Sequence, residues 1–313
     1  MAFTAEELSS CMKNQAPGSP ELSFLSFRGG FHGRTFGSLS CTRSKDIHKI
    51  DIPAFNWPAA PFPQLKYPLE EHQKENAAEE ARCLEEVEKI IKTWKLPVAG
   101  ILVEPIQAEG GDNFASPDFF RKLRAIAKKH DIVFIVDEVQ TGGGPTGKLW
   151  AHEHWNLPED SPPDMVTFSK KFQAAGFFHN VDTRPGQGYR NFNTWLGDPM
   201  RALQMGVIVK EIRDKKLLEN VRVTGEYLKA ELEDISKETK AIQNVRGQGT
   251  FIAFDLKTPE DRDKLVGFMR QAGIQSSGCG TRSVRLRPML WFQPKHAKIY
   301  LDGLRDAIAK LKL

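Results

Sequence analysis

The sequence predicts an α/β chain: a large domain over residues 1–215 built on a mostly parallel sheet, then a small α+β domain over 216–313. Three observations carry this. Val98–Val103 and Val133-Phe134-Ile135-Val136-Asp137 are short continuous apolar runs, the pattern of strands covered on both faces. A helix signal stands between them, so the order strand–helix–strand implies a crossover connection. Beyond residue 250 the order changes to strand (Phe251–Leu256), helix (258–271), strand (Ser283–Arg287) and closing helix (295–312).

The elements follow in order. Thr4 caps a helix start at the N-terminus, which has neither the apolar core of a signal peptide nor the arginine-rich, acid-poor makeup of a transit peptide. Pro53, Pro58, Pro61, Pro63 and Pro68 mark 53–68 as an extended loop. A helix over about 70–94 puts Leu84, Val87, Ile91 and Trp94 on one face. Ser116-Pro117 opens the next, with a cap before proline and Phe120, Leu123 and Ala127 as its apolar face. Met165–Phe168 is a further apolar stretch, and helical patterns return near 199–214 and 217–236.

Composition narrows the function. The chain has 313 residues, 40% apolar and 27% charged, with a net charge of +4 spread along its length. No lysine-arginine block marks a nucleic-acid partner, and no apolar run approaches membrane-spanning length. Cys11, Cys41, Cys83 and Cys279 form no Cys-x-x-Cys pair, which suggests a reducing compartment.

Two motifs are decoys. Gly142–Leu149 nearly fits a phosphate-binding P-loop, but Leu149 stands where serine or threonine must reach magnesium. A flexible turn with close backbone passage is expected instead. His152-Glu153-His154 lacks the i, i+4 histidine spacing of a zinc helix, so a solvated helix start and no metal are expected.

The informative pair is Asp137, closing one apolar run, and Lys170, following Met165–Phe168. An acid can keep a pyridinium nitrogen protonated, and a lysine can form a Schiff base with an aldehyde. Pyridoxal phosphate (PLP) needs both, because its ring is an electron sink while the nitrogen carries charge. Each residue alone is as easily a cap, a salt-bridge half or a solvated amine; together they sit at strand ends, where ligands of such sheets bind. Glu104 falls at a strand end as well. Lys171, adjacent to Lys170, is the alternative amine. Arg34 and Arg285 could each bind a carboxylate through the planar guanidinium, or simply face solvent.

Phe31–Thr35, Ile50–Tyr67, Val103–Gln107, Val136–Gly144, Thr167–Lys171, Phe192–Pro199, Val245–Phe251 and Val284–Pro288 together resemble the class III, fold-type I PLP aminotransferases. Within that class they are most similar to the animal members acting on 4-aminobutyrate. The resemblance runs almost end to end and implies a fold-type I large domain lacking its N-terminal part.

It implies roles as well. Lys170 would form the Schiff base and then move a proton between substrate and cofactor. Asp137 would hold the pyridinium proton. Val139 would pack on the ring, Gln140 would bond its phenolic oxygen, Phe31 and His32 would line its other side, and Glu104 would support the site. Thr194 would reach a phosphate in the neighbouring subunit of a homodimer. Arg34 would bind the carboxylate of 4-aminobutyrate, and Arg285 the α-carboxylate of glutamate or 2-oxoglutarate. Glu109 would pair with Arg285 when the substrate lacks that group. The implied reaction transfers the amino group of 4-aminobutyrate to 2-oxoglutarate, in the mitochondrial matrix. β-Alanine and ornithine are alternative donors, and a non-catalytic chain that pairs with full-length subunits is an alternative role.

The family carries a long segment before the Phe31-His32 region, with strands, a Gly/Ser-rich phosphate loop and, in the animal members, a Cys-x-x-Cys for an iron–sulfur cluster. Nothing in this sequence corresponds to it. The chain is therefore expected to represent the C-terminal portion of such an enzyme, with little or no activity alone.

Overall fold

The computed structural model describes residues 3–311. The first helix, α1 (Ala5–Cys11), starts where expected: the Thr4 hydroxyl accepts from the Glu7 amide at 3.1 Å, and the Glu7 carboxylate accepts from the Thr4 amide at 2.7 Å. Strand β1 (Ser23–Phe27), helix α2 (Phe36–Cys41) and the two-residue strand β2 (Ala59–Ala60) follow. None of the three is signalled by periodicity. Ser23 and Ser26 interrupt the apolar run of β1, yet both are buried, because a parallel strand is covered on both faces. Strand β2 lies inside the proline-rich stretch and pairs with β1 along Ser26↔Ala59 and Phe27↔Ala60.

Helix α3 (Gln73–Thr93), strand β3 (Val98–Val103), helix α4 (Pro117–Lys129) and strand β4 (Val133–Asp137) then form the expected crossover. The Ser116 hydroxyl caps α4 by accepting from the Phe119 amide at 3.1 Å. Strand β5 (Met165–Phe168) completes the parallel set. Lys170–Phe172 form a short 3-10 turn, and β6 (Gly176–His179) returns antiparallel to β5. This corrects the irregular loop expected after Lys170. The sheet order is β2-β1-β3-β4-β5-β6. Leu25, Phe27, Ile101, Phe134 and Val136 of this sheet meet Val87, Phe119, Phe120 and Leu123 of α3 and α4 in one core.

Helices α5 (Pro199–Asp214) and α6 (Leu217–Thr239) lead to the second sheet, built from β7 (Gln243–Gln248), β8 (Phe251–Asp255), β9 (Ser277–Cys279) and β10 (Ser283–Leu286). Its order is β7-β8-β10-β9, all antiparallel. Helices α6, α7 (Pro259–Gln271) and α8 (Pro294–Leu311) cover it around a separate core that includes Leu228, Leu232, Phe254, Leu265, Val284 and Leu304. The expected closing helix reaches 312, which lies outside the described residues.

The Gly142–Leu149 segment is a turn of close passage, buried from Gly142 to Gly147. Gly144 has φ +101°, and a Cβ there would fall 2.7 Å from Leu218 of α6. The turn thus packs on α6. His152 is not solvated as expected: Glu138 accepts from its amide at 2.7 Å and lies 2.8 Å from its Nδ1. Among the described residues no group of three or more His, Cys, Asp or Glu side chains is placed to hold a metal ion.

Candidate active site

The parallel register brings the C-terminal ends of β1, β3, β4 and β5 to one edge, and the candidate residues sit just beyond it. Asp137 is the last residue of β4, opposite Thr167 of β5. Its Oδ1 accepts from the Val139 amide at 3.1 Å and from the Thr167 hydroxyl at 3.0 Å. Its Oδ2 lies 2.8 Å from His32 Nδ1. Burial pushes the Asp137 carboxyl up, but the His32 hydrogen bond and charge, with the Val139 and Thr167 donors, hold it below the ordinary range. Asp137 is therefore a buried anion, and His32 Nδ1 is the donor to it.

His32 stands on the stretch after β1, with its side chain almost fully enclosed. Burial opposes its charge, but the Asp137 bond and the carboxylates of Asp137 and Glu104 raise its pKa. Glu104 follows β3 and is 6% exposed. It accepts from the Phe31 amide at 2.8 Å and the Ala108 amide at 3.2 Å, tying the β1 and β3 loops together.

Lys170 is exposed and sits at φ +25°, a conformation rare for a side-chain-bearing residue. Lys171 turns the other way: it is partly buried, and its Nζ donates to the Pro288 carbonyl at 3.2 Å. Burial and the Arg287 charge lower its pKa. The two neighbouring lysines thus have different surroundings: Lys171 is occupied, and Lys170 has no side-chain hydrogen bond or ion pair among the described residues.

The second sheet supplies the opposite wall. Arg285 of β10 donates to Glu109 at 2.6 Å. Burial would raise the Glu109 carboxyl, but the Arg285 bond and charge hold it low, with smaller help from Lys45 and His48. Arg287 donates to Asp112 and, at 3.3 Å, to the Gln140 side chain. Arg246 bonds the carbonyls of Gly111 and Asp112 and the carboxylate of Asp255. The loop carrying Glu109 is thus held from the second sheet. Arg34 is exposed; burial, then the charges of Arg34 and Lys45, lower the pKa of His48, against the opposing charge of Glu109.

The structure therefore gathers Phe31, His32, Glu104, Asp137 and Val139 at one end of the first sheet, with Lys170 at the end of the adjoining strand. Gln140, Glu109 and Arg285 are joined to the second sheet. It does not bring Thr194 to this edge through any contact: Thr194 is exposed and without a hydrogen bond among the described residues. Of Val139, the amide is bonded to Asp137 in this structure. Sequence reasoning missed Thr167, Asp112 and Arg287 as site-forming groups. Strand register could have found Thr167, directly across from Asp137; Asp112 sits in a loop with no local signal.

The ring end of PLP fits these residues. An ionised carboxylate offers four lone-pair sites. Three of Asp137's are used, leaving one on Oδ2 for a single charged N–H donor. A cleft of about 650 Å³ lies elsewhere and is lined by Tyr67, Glu80, Phe114, Lys229 and Arg246, among others. It holds none of the candidate residues, and Glu80 within it is already taken by the Ser116 amide and hydroxyl, each at 2.6 Å.

A family model described as Aminotransferase class-III matches residues 4–308. The chain is 63% identical over 310 residues to the 4-aminobutyrate aminotransferase of Dictyostelium discoideum, covering 99% of this chain and 62% of that protein. It is 58% identical over 310 residues to the one of Schizosaccharomyces pombe, covering 98% and 65%. To the mitochondrial one of Homo sapiens it is 55% identical over 316 residues, covering 99% and 62%. The chain thus spans less than two thirds of the length of these relatives. Among solved structures, the lysine aminotransferase from M. tuberculosis in its internal aldimine form matches with a TM-score of 0.86 at 30% identity, covering 98% of this chain and 70% of that one.

Proposed function

The chain belongs to the class-III aminotransferase family, and on that premise we propose that it takes part in PLP-dependent transfer of the amino group of 4-aminobutyrate to 2-oxoglutarate, giving succinate semialdehyde and glutamate. The observation that carries this is the single open acceptor position on buried Asp137, one strand away from the free amine of Lys170. The substrate assignment is supported by the relatives, which carry the name 4-aminobutyrate aminotransferase at 55–63% identity.

When bound, PLP supplies the electron sink that lets a proton leave the carbon bearing the amino group. Every other part belongs to the chain. Asp137 would hold the ring nitrogen charged, and His32 keeps that carboxylate ionised and aimed. Lys170 is the amine that would hold the group, and as a base it would move the proton that the electron sink releases. Its strained backbone at φ +25° fits a residue held for reaction rather than for packing. Arg34, exposed and without an ion pair among the described residues, takes the carboxylate of 4-aminobutyrate. Arg285 stays on Glu109 while the substrate has one carboxylate. A substrate with two must displace Glu109 to claim Arg285, so one site serves both half-reactions.

Homodimer formation belongs to the same reading. Phe192, Trp195 and Leu196, beside Thr194, and Met200, Leu203 and Val207 of α5 are exposed apolar residues close in sequence, the kind of patch that marks an association surface. Thr194 would then serve a phosphate bound by the second subunit. We place the protein in the mitochondrial matrix; the names of the pig and human relatives call those proteins mitochondrial, and no described helix is long and apolar enough to cross a membrane.

Borohydride reduction in the presence of PLP, followed by peptide mapping, tests the core of this reading. Label on Lys170 is expected. Label on Lys171 alone, or on neither lysine, overturns it. Steady-state kinetics with 4-aminobutyrate, β-alanine and ornithine decides the donor.

A further inference from the structure

Asp137, His32 and Glu104 share an enclosed corner of the site. The charged and titratable groups that act on Glu104 there are His32 and Asp137. With both carboxylates ionised and the imidazole neutral, the corner would hold two uncompensated negative charges, which burial penalises heavily. A proton on His32 removes one. Another on Glu104 makes the corner neutral.

The geometry gives that second proton a place. Glu104 Oε1 and Oε2 each accept one backbone amide, from Phe31 and Ala108, which leaves further lone pairs and no cation in contact. The second nitrogen of His32, Nε2, faces the same spot as Oε1: a Cβ built on Gly30 would lie 3.1 Å from one and 3.6 Å from the other. Glu104 also sets where His32 stands, because it fixes the amide of Phe31, the residue immediately before it.

We propose that Glu104 is a positioning residue and proton store: it is partly protonated at rest near neutral pH, holds His32 in register on Asp137, and gives up its share of the proton when a cationic ring nitrogen is set against Asp137. This rests on the PLP reading above. The step breaks the Glu104 O–H bond; the electron pair stays on the carboxylate, and the proton passes to water and buffer. No oxidant or reductant is involved. Burial pushes Glu104 up to about 7; His32 lowers it, Asp137 raises it and the two amides lower it. A second nearby cation acts in the same direction as His32 and drives ionisation.

The test uses chain 1–313 and its Glu104→Gln variant. Infrared spectra of the PLP-free chain between pH 5 and 9 should show a protonated-carboxyl C=O band that titrates near neutrality. The band should be missing in the variant. PLP is then added near pH 7 in two buffers of different ionisation enthalpy, and calorimetry counts the protons released. The natural chain should release about half a proton more than the variant, as expected for a group midway through titration. Absence of the neutral-range band, its persistence in Glu104→Gln, or equal proton release with PLP bound overturns the proposal. If PLP produces no absorbance change while the band still titrates, the PLP reading and the release step fall, and the resting proton on Glu104 stands.

Discussion

The two walls of the site hold their carboxylates by different physics. On the first-sheet wall, Asp137 and Glu104 are buried and held by backbone amides, one hydroxyl and one imidazole. On the second-sheet wall, Glu109, Asp112 and Asp255 face Arg285, Arg287 and Arg246. An imidazole and a carboxylic acid exchange protons near neutrality, whereas a guanidinium does not. The first wall can therefore change charge without moving, and the second can change partners without changing charge. This division suits the proposed reaction, in which one wall would set the electronics of a ring and the other would accept substrates of different carboxylate count.

The largest expected break in the comparison is Asp137→Ala. It leaves the Val139 amide, the Thr167 hydroxyl and a buried His32 without their shared acceptor, and should cost about 3 kcal/mol in chemical denaturation. Adding His32→Ala should cost much less than the separate sum, because the two residues act as a unit. Full additivity would show that they do not.

Next comes pH. Glu104 and His32 are raised in the folded chain, so their stabilisation is complete below their unfolded values and is lost as pH rises through the folded ones. For Glu104 the window runs from its ordinary value of 4.5 to about 7. The slope it contributes is on the order of 3 kcal/mol across that window. Asp137 is lowered, so its contribution has the opposite sign: present above the ordinary aspartate range and lost as pH falls. Glu104→Gln should therefore flatten the stability–pH curve on the neutral side and leave the acid limb in place. An unchanged neutral slope would assign it to other groups.

The second wall should respond to charge number instead. Glu109→Gln removes the ion partner of Arg285 and should cost about 1–2 kcal/mol of stability, with little pH dependence above pH 6. The same change should favour 2-oxoglutarate over 4-aminobutyrate in binding, because the competing carboxylate is gone. Equal effects on both ligands would show that Glu109 is no stand-in for substrate.

The smallest effect tests Lys170. Glycine accepts φ +25° without strain, so Lys170→Gly should stabilise the fold by about 1 kcal/mol in thermal unfolding while removing the borohydride-trapped label. A loss of stability would mean that the lysine side chain has a packing role.

Much of the frame was legible in the chain. The apolar runs at Val98–Val103 and Val133–Asp137 and the Ser116-Pro117 cap are local signals, and each yields its element in place. Asp137, Glu104 and Lys170 could be put at strand ends because strand ends are written in the run of apolar residues. Helix α2 escaped, and so did the strands β1, β2, β6, β7 and β9, which draw their identity from neighbours: buried serines, two alanines among prolines, a glycine-phenylalanine return and two polar or glycine-bearing runs are strands because a partner edge is there to pair with. The site divides the same way. The sequence determines which residues can carry charge and that an acid and a lysine end adjacent strands. Tertiary structure alone decides that Lys171 is spent on Pro288, that His32 meets Asp137 across 105 positions, and that Glu104 is buried among groups that move its proton. Protonation is set by desolvation and by charges a few ångströms away, and those distances exist only once the strands are side by side.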